Sequence, residues 1–160
     1  MELQSFLNYI RGQAGYENQI EHIEHIAPRR AAYGKLEEPL DLKLQEVLSM
    51  HGLSKLYSHQ AKAVNLVRAG KNVIIATTSA SGKSLVYNIA VLQAMLNQPN
   101  TRALYLFPTK ALAQDQLRKL HELFSPGILP PEALATFDGD TPRNERPDVR
   151  RRGRIILTNP

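Results

Sequence analysis

Hydrophobic and polar positions along the chain follow two periods, and the period switches several times. Leu3, Phe6, Leu7 and Ile10 recur at helical spacing and predict a helix over 2–12 that Gly12 stops. The stretch 18–40 is less regular, with Ile20, Ile23 and Ile26 ahead of Ala27-Pro28-Arg29-Arg30, and reads as extended chain packed on something else. Asp41 is placed to cap a helix running to about Met50, with Leu44, Val47 and Leu48 inward and His51-Gly52 at its end. Ser58 is expected to cap the next helix, whose apolar positions are Ala61, Val64, Leu66 and Val67 and which closes at Ala69-Gly70.

From there strand-like and helix-like segments alternate. Asn72-Val73-Ile74-Ile75-Ala76 is a short β-branched run, expected as a buried strand. Small residues from Thr77 to Ser81 lead to Gly82-Lys83-Ser84, which opens a helix to about Leu96. Further strands are expected at 102–107, 134–137 and 155–158, with a helix at 110–124. A Pro/Gly-rich link covers 125–131, and 138–152 is a loop with one helix. This alternation implies βαβ units, hence an α/β fold in which helices flank a parallel sheet. The division expected is a mostly helical N-terminal segment, 1–50, followed by the sheet-forming part, 51–160.

Composition narrows the class. With 42% hydrophobic and 22% charged residues, the 160-residue chain has the profile of a globular domain. No apolar run approaches the ~18–20 residues that span a bilayer, so no membrane partner is expected. Glu2 stands where a signal peptide would carry bases, which points to the cytoplasm. The absence of cysteine excludes disulfides and thiolate metal sites. The net charge of +5, with arginines crowded between Arg143 and Arg154, suits a polyanionic partner. Glu21-His22-Ile23-Glu24-His25 lacks the spacing of either zinc-protease helix motif and alternates with apolar residues, so it reads as packed chain.

The most specific chemistry lies at residues 77–84. A strand, a loop of small residues and a helix opening on Gly82-Lys83-Ser84 form the context of a phosphate-binding loop. Small side chains at Thr77, Thr78, Ser79, Ala80, Ser81 and Gly82 let backbone N–H groups close around a phosphate. The start of the helix adds partial positive charge. Lys83 would reach the β- and γ-phosphates of ATP, and the Ser84 hydroxyl would ligate Mg²⁺. Thr77 stands where the general motif has its first glycine.

Around this loop the chain resembles superfamily-2 helicases of the DEAD/DEAH type. Ala76 to Ser84 is similar to their motif I, and Leu56-Tyr57-Ser58-His59-Gln60 to their Q motif. Phe107-Pro108-Thr109-Lys110-Ala111-Leu112 is similar to motif Ia, Asp138-Gly139-Asp140-Thr141-Pro142 to the glycine-centred element, and Ile156-Leu157-Thr158-Asn159-Pro160 to motif Ib. The wording resembles that of the MrfA/YprA-like branch, a RecQ-related group of DNA helicases linked to repair.

The resemblance implies a RecA-like domain and an ATP-dependent helicase. Tyr57 and Gln60 would meet the adenine, with Lys83 and Ser84 at the reacting phosphates. Pro108, Thr109, Lys110, Gly139, Asp140, Thr158 and Asn159 would lie along the backbone of a nucleic-acid strand, DNA rather than RNA. The family's acidic Mg²⁺ motif and its second RecA-like domain, with an arginine finger, come later than motif Ib. The expectation is therefore an incomplete first helicase domain that holds ATP without turning it over and whose missing partner is that second domain. Two rivals are another P-loop NTPase, such as a nucleotide kinase, which has no need of Tyr57-Ser58-His59-Gln60, and a nucleic-acid-binding module without unwinding activity.

Overall fold

The computed structural model describes residues 2–28, 30–124 and 127–160. It falls into two units, Met1–Arg30 and Ala31–Pro160. The first contains one helix, α1 (Leu3–Arg11), whose C-cap is Gly12; Leu3 and Phe6 on its apolar stripe stay exposed.

The second unit holds α2 (Leu42–Met50), α3 (Ser58–Arg68), α4 (Lys83–Asn97), β1 (Ala103–Leu106), α5 (Lys110–Phe124), β2 (Leu134–Thr136), α6 (Arg146–Arg152) and β3 (Ile155–Thr158). The three strands make a parallel sheet in the order β1-β3-β2, with Leu106 opposite Thr158 and Thr136 opposite Leu157. All three strands therefore run out at one edge, the edge where ligands gather in open parallel sheets.

Local chemistry explains the boundaries. Asp41 accepts from the Lys43 N–H at 2.9 Å and caps α2 as expected. α3 begins one residue away from expectation: its cap is Tyr57 and Ser58 is its first residue. The Gln60 carbonyl oxygen reaches back to the Tyr57 N–H at 2.8 Å, which fixes the cap without help from a serine hydroxyl. Thr109 accepts from the Leu112 N–H at 3.2 Å and starts α5. The link expected at 125–131 falls partly outside the described residues, and its end is a short 3₁₀ turn, Pro131–Ala133.

One expected strand differs. Residues 72–76 belong to no sheet of the described residues, and Ile74 is 97% exposed. A β-branched run supplies the preference, but a strand also needs a neighbour to take its ladder bonds. Among the described residues, no backbone hydrogen bond ties 72–76 to another segment. β1 has a similarly open side, with Leu104 and Leu106 exposed while Tyr105 is buried.

The core sits between the helices and the covered sheet face. Leu44, Val64, Ile89, Leu92, Leu120, Phe124, Ile155 and Leu157 are fully buried. Tyr87 of α4 meets the Tyr105 ring edge-on at 5.0 Å, and Asn88 accepts the Tyr105 hydroxyl at 3.0 Å. Burial pushes the Tyr105 phenol above its ordinary value.

Several arginines hold the fold together. Arg102 donates to the Arg150 and Arg151 carbonyls at 2.7 and 2.9 Å, capping α6, and Arg154 spans to the Thr101 and Met95 carbonyls. Arg146 and Arg150 lie over the Phe137 ring at 5.5 and 5.2 Å. No helix of the described residues is long and apolar enough to cross a membrane.

Candidate functional site

The loop 77–82 owes its shape to two residues with positive φ. Gly82 has φ +77 and Ala80 φ +58, so the chain turns twice before α4 begins. Thr77 is not among the described residues of positive φ, and no glycine is needed where the general motif has one. Ala80 instead adopts, with a Cβ, the left-handed conformation that favours glycine. Across the loop the Thr77 and Ser81 hydroxyls bond each other at 2.6 Å.

Lys83, half-buried at the start of α4, folds back over this loop. Its ammonium donates to the Thr78 carbonyl at 2.7 Å and the Thr77 carbonyl at 3.1 Å, with the Thr77 and Ser81 hydroxyls at 3.4 Å. One cation is thus aimed into a ring of small residues at a helix N-terminus. This donor set fits a polyphosphate: an ammonium, first-turn N–H groups of α4, and the half-buried Ser84 beside them.

Helix α3 grips the loop from behind. Gln60, 3% exposed, donates its amide to the Gly82 carbonyl at 3.0 Å while its oxygen holds the Tyr57 N–H. His59 bonds the Ser81 carbonyl through Nε2 at 3.0 Å. A Cβ at Gly82 would lie 2.3 Å from the Gln60 amide nitrogen, so glycine is required there by contact as well as by φ.

Beside the loop is a cavity of about 550 Å³ lined by Tyr33, Leu53, Tyr57, Gln60, Gly82 and Ser84 among others. Tyr57 stacks on Tyr33 at 5.6 Å and on His59 at 6.0 Å, and Lys55 sits 5.8 Å over the Tyr33 ring. The opposite wall comes from α5 through Gln116, Lys119 and Leu123. Hydrogen bonds from Lys119 and then Arg118 hold the neighbouring Asp115 carboxyl below its ordinary range. Size and lining suit a purine base. Tyr33 and Leu53 escaped the sequence reading, and His59 was quoted within the Q-motif match without a role of its own. Only His59, adjacent to Gln60, carried a signal that could have been followed.

The second group of expected residues meets at the carboxyl edge of the sheet. Pro108, Thr109 and Lys110 follow β1, Gly139 and Asp140 follow β2, and Thr158 and Asn159 end β3. Lys110 and Asp140 form an ion pair at 2.7 Å, and that hydrogen bond raises the Lys110 pKa. The lysine expected to offer free charge is thus already partnered. The Thr158 hydroxyl donates to the Phe137 carbonyl, so its proton is committed within the fold. Thr109 uses its oxygen as an acceptor and retains its hydroxyl proton for another partner. A cavity of about 440 Å³ runs past Lys110, Gln114, Asp138, Asp140, Thr141 and Glu145.

Comparison with known proteins gives a consistent picture. Residues 57–160 match the DEAD/DEAH box helicase family. The chain is 40% identical over 160 residues to the ATP-dependent helicase YprA of Bacillus subtilis, covering all of this chain and 21% of that protein. It is 40% identical to the ATP-dependent helicase hrq1 of Schizosaccharomyces pombe over 162 residues, covering 99% of this chain and 15% of the other.

Among solved structures, the DUF1998 helicase MrfA bound to DNA superposes with a TM-score of 0.80 at 36% identity, covering 99% of this chain and 22% of MrfA. MrfA bound to DNA and AMPPNP superposes with a TM-score of 0.78. The chain therefore spans between 15% and 22% of the length of these relatives. With a phosphate-type loop, a base-sized cavity and the family match over 57–160 together, this chain belongs to the DEAD/DEAH box helicases.

Proposed function

We propose that the chain is the nucleotide-gripping part of an ATP-dependent DNA helicase, whose full-length form couples ATP hydrolysis to strand separation. The observation that carries this reading is the Lys83 ammonium folded into the 77–82 loop while α3 holds that loop at two consecutive carbonyls. Thr77 to Gly82 wrap the phosphates, Lys83 neutralises their charge, and Tyr57 and Gln60 line the base cavity. Ser84 would hold Mg²⁺, which supplies charge neutralisation during phosphoryl transfer. Thr109 and the first amides of α5 face a phosphate backbone, with Pro108, Lys110, Gly139, Asp140, Thr158 and Asn159 around them. Such contacts position a strand without reading its sequence, as a motor requires. DNA is favoured over RNA because MrfA, 36% identical, was solved with DNA.

The test is labelled-ATP binding and DNA-stimulated hydrolysis by the full-length protein beside its Lys83→Ala variant. Both should fall at least about tenfold, the loss of roughly one charge-assisted contact. Equal ATP binding by Lys83→Ala defeats the reading.

A further inference from the structure

We infer that His59 is a positioning residue for the phosphate loop: its imidazole N–H turns a peptide plane so that the amide behind it faces the phosphates. This rests on the ATP reading above and adds a role to a residue outside the loop.

The geometry is as follows. A carbonyl oxygen can only accept, so the 3.0 Å contact from Nε2 to the Ser81 oxygen places the proton on Nε2. The carbonyl of Ser81 and the N–H of Gly82 share one planar peptide unit, and the described residues contain no cis bond. In a trans unit the two groups point in opposite directions. Drawing the Ser81 carbonyl toward α3 therefore aims the Gly82 N–H away from α3. Gln60 does the same to the next unit, holding the Gly82 carbonyl at 3.0 Å and turning out the Lys83 N–H. Two successive amides are oriented by two successive side chains of one helix.

Isolated loops of small residues sample many peptide orientations, and Thr77 to Ala80 are all exposed. Fixing two units before ligand arrives removes that freedom in advance, the ordinary advantage of preorganisation. The ring of His59 also stacks on Tyr57, so a purely structural role through stacking is the competing account. The two accounts order substitutions differently. Phenylalanine keeps a ring and loses the donor. Glutamine loses the ring but places an amide nitrogen where Nε2 stood. Asparagine places its nitrogen at the Nδ1 position, short of Ser81.

The experiment is ATP titration of the full-length protein and of its His59→Phe, His59→Gln and His59→Asn variants, with melting curves taken without nucleotide. The dissociation constant should rise about five- to tenfold for His59→Phe and His59→Asn, the loss of one hydrogen bond. His59→Gln should stay within about twofold of the parent. The inference is overturned by a Phe variant that binds as tightly as the parent or better than the Gln variant. It is equally overturned by Gln and Asn variants of equal affinity. The Gln–Asn comparison holds even where loss of the ring lowers the melting temperature, since neither has one. A parent protein that fails to bind ATP refutes the nucleotide reading itself, a separate outcome.

Discussion

Replacing Gly82 by alanine tests the contact that joins α3 to the phosphate loop. Two costs arise. An L-residue at φ +77 is strained by about 1–2 kcal/mol, offset by about 0.4–1 kcal/mol because alanine has less freedom to lose on folding. The new Cβ would also sit 2.3 Å from the Gln60 amide nitrogen, far inside contact distance. A free glutamine end would move aside at little cost. This one is 3% exposed and bonded at both ends of its carboxamide, to Tyr57 at 2.8 Å and Gly82 at 3.0 Å.

Displacing it sacrifices one or two hydrogen bonds at about 0.5–1.5 kcal/mol each, more if a buried group is left unpaired. The total is about 1–4 kcal/mol. Urea unfolding followed by circular dichroism reads this directly. Repeating the substitution in a Gln60→Ala background removes the clash, and the cost should shrink to about 1 kcal/mol of residual strain. An undiminished cost in that background refutes the argument, because the Gln60 contact would then not be its source.

Three further outcomes follow from other contacts. At Gly34 a Cβ would meet the Ala61 Cβ at 2.8 Å and the Ser58 Cα at 3.0 Å, so Gly34→Ala should destabilise by about 1–3 kcal/mol in the same unfolding assay. Asp140→Asn releases Lys110 from its ion pair, and single-stranded DNA binding should tighten about two- to fivefold at low salt, with a salt slope steeper by about one phosphate. Because the pair raises the lysine pKa, its contribution is complete below the unfolded value and lost only as pH rises through the folded one. The Asp140→Asn effect should therefore be flat between about pH 6 and 8. Arg102→Ala removes two bonds to the α6 carbonyls, and hydrogen exchange should quicken in α6 while α4 is unchanged.

What could be read in advance was whatever depends on near neighbours. The span of α5 was legible because Thr109 and the apolar spacing behind it act within one turn, and Gly82-Lys83-Ser84 announced a helix start with an anion-binding character. Asp41 capped α2 for the same reason. The start of α3 slipped by a residue because Ser58 is the better capping residue in general, whereas here the side chain of Gln60 claims the Tyr57 N–H. Contacts between distant positions were hidden. His59 and Gln60 meet carbonyls 22 residues away. Lys110 meets Asp140 across the whole of α5, the link after it and β2, and spacing alone cannot show that an anticipated phosphate contact already has an acid beside it. The arginine cluster suggested a polyanion, yet Arg154 binds backbone carbonyls and Arg146 and Arg150 lie over Phe137. The run 72–76 showed β preference clearly, but pairing is a property of two segments and only one was in view.

That run has a practical consequence for handling the chain by itself. Five residues of Asn-Val-Ile-Ile-Ala present unclaimed amides and carbonyls with an isoleucine standing fully in water, and Leu104 and Leu106 add a greasy surface elsewhere. Such a pentapeptide is a template on which a second copy can lay its own. Preparations of the 160-residue polypeptide will tend toward aggregation as concentration rises. A lysine in place of Ile74 acts as a gatekeeper, keeping the polypeptide dispersed while leaving the phosphate loop untouched.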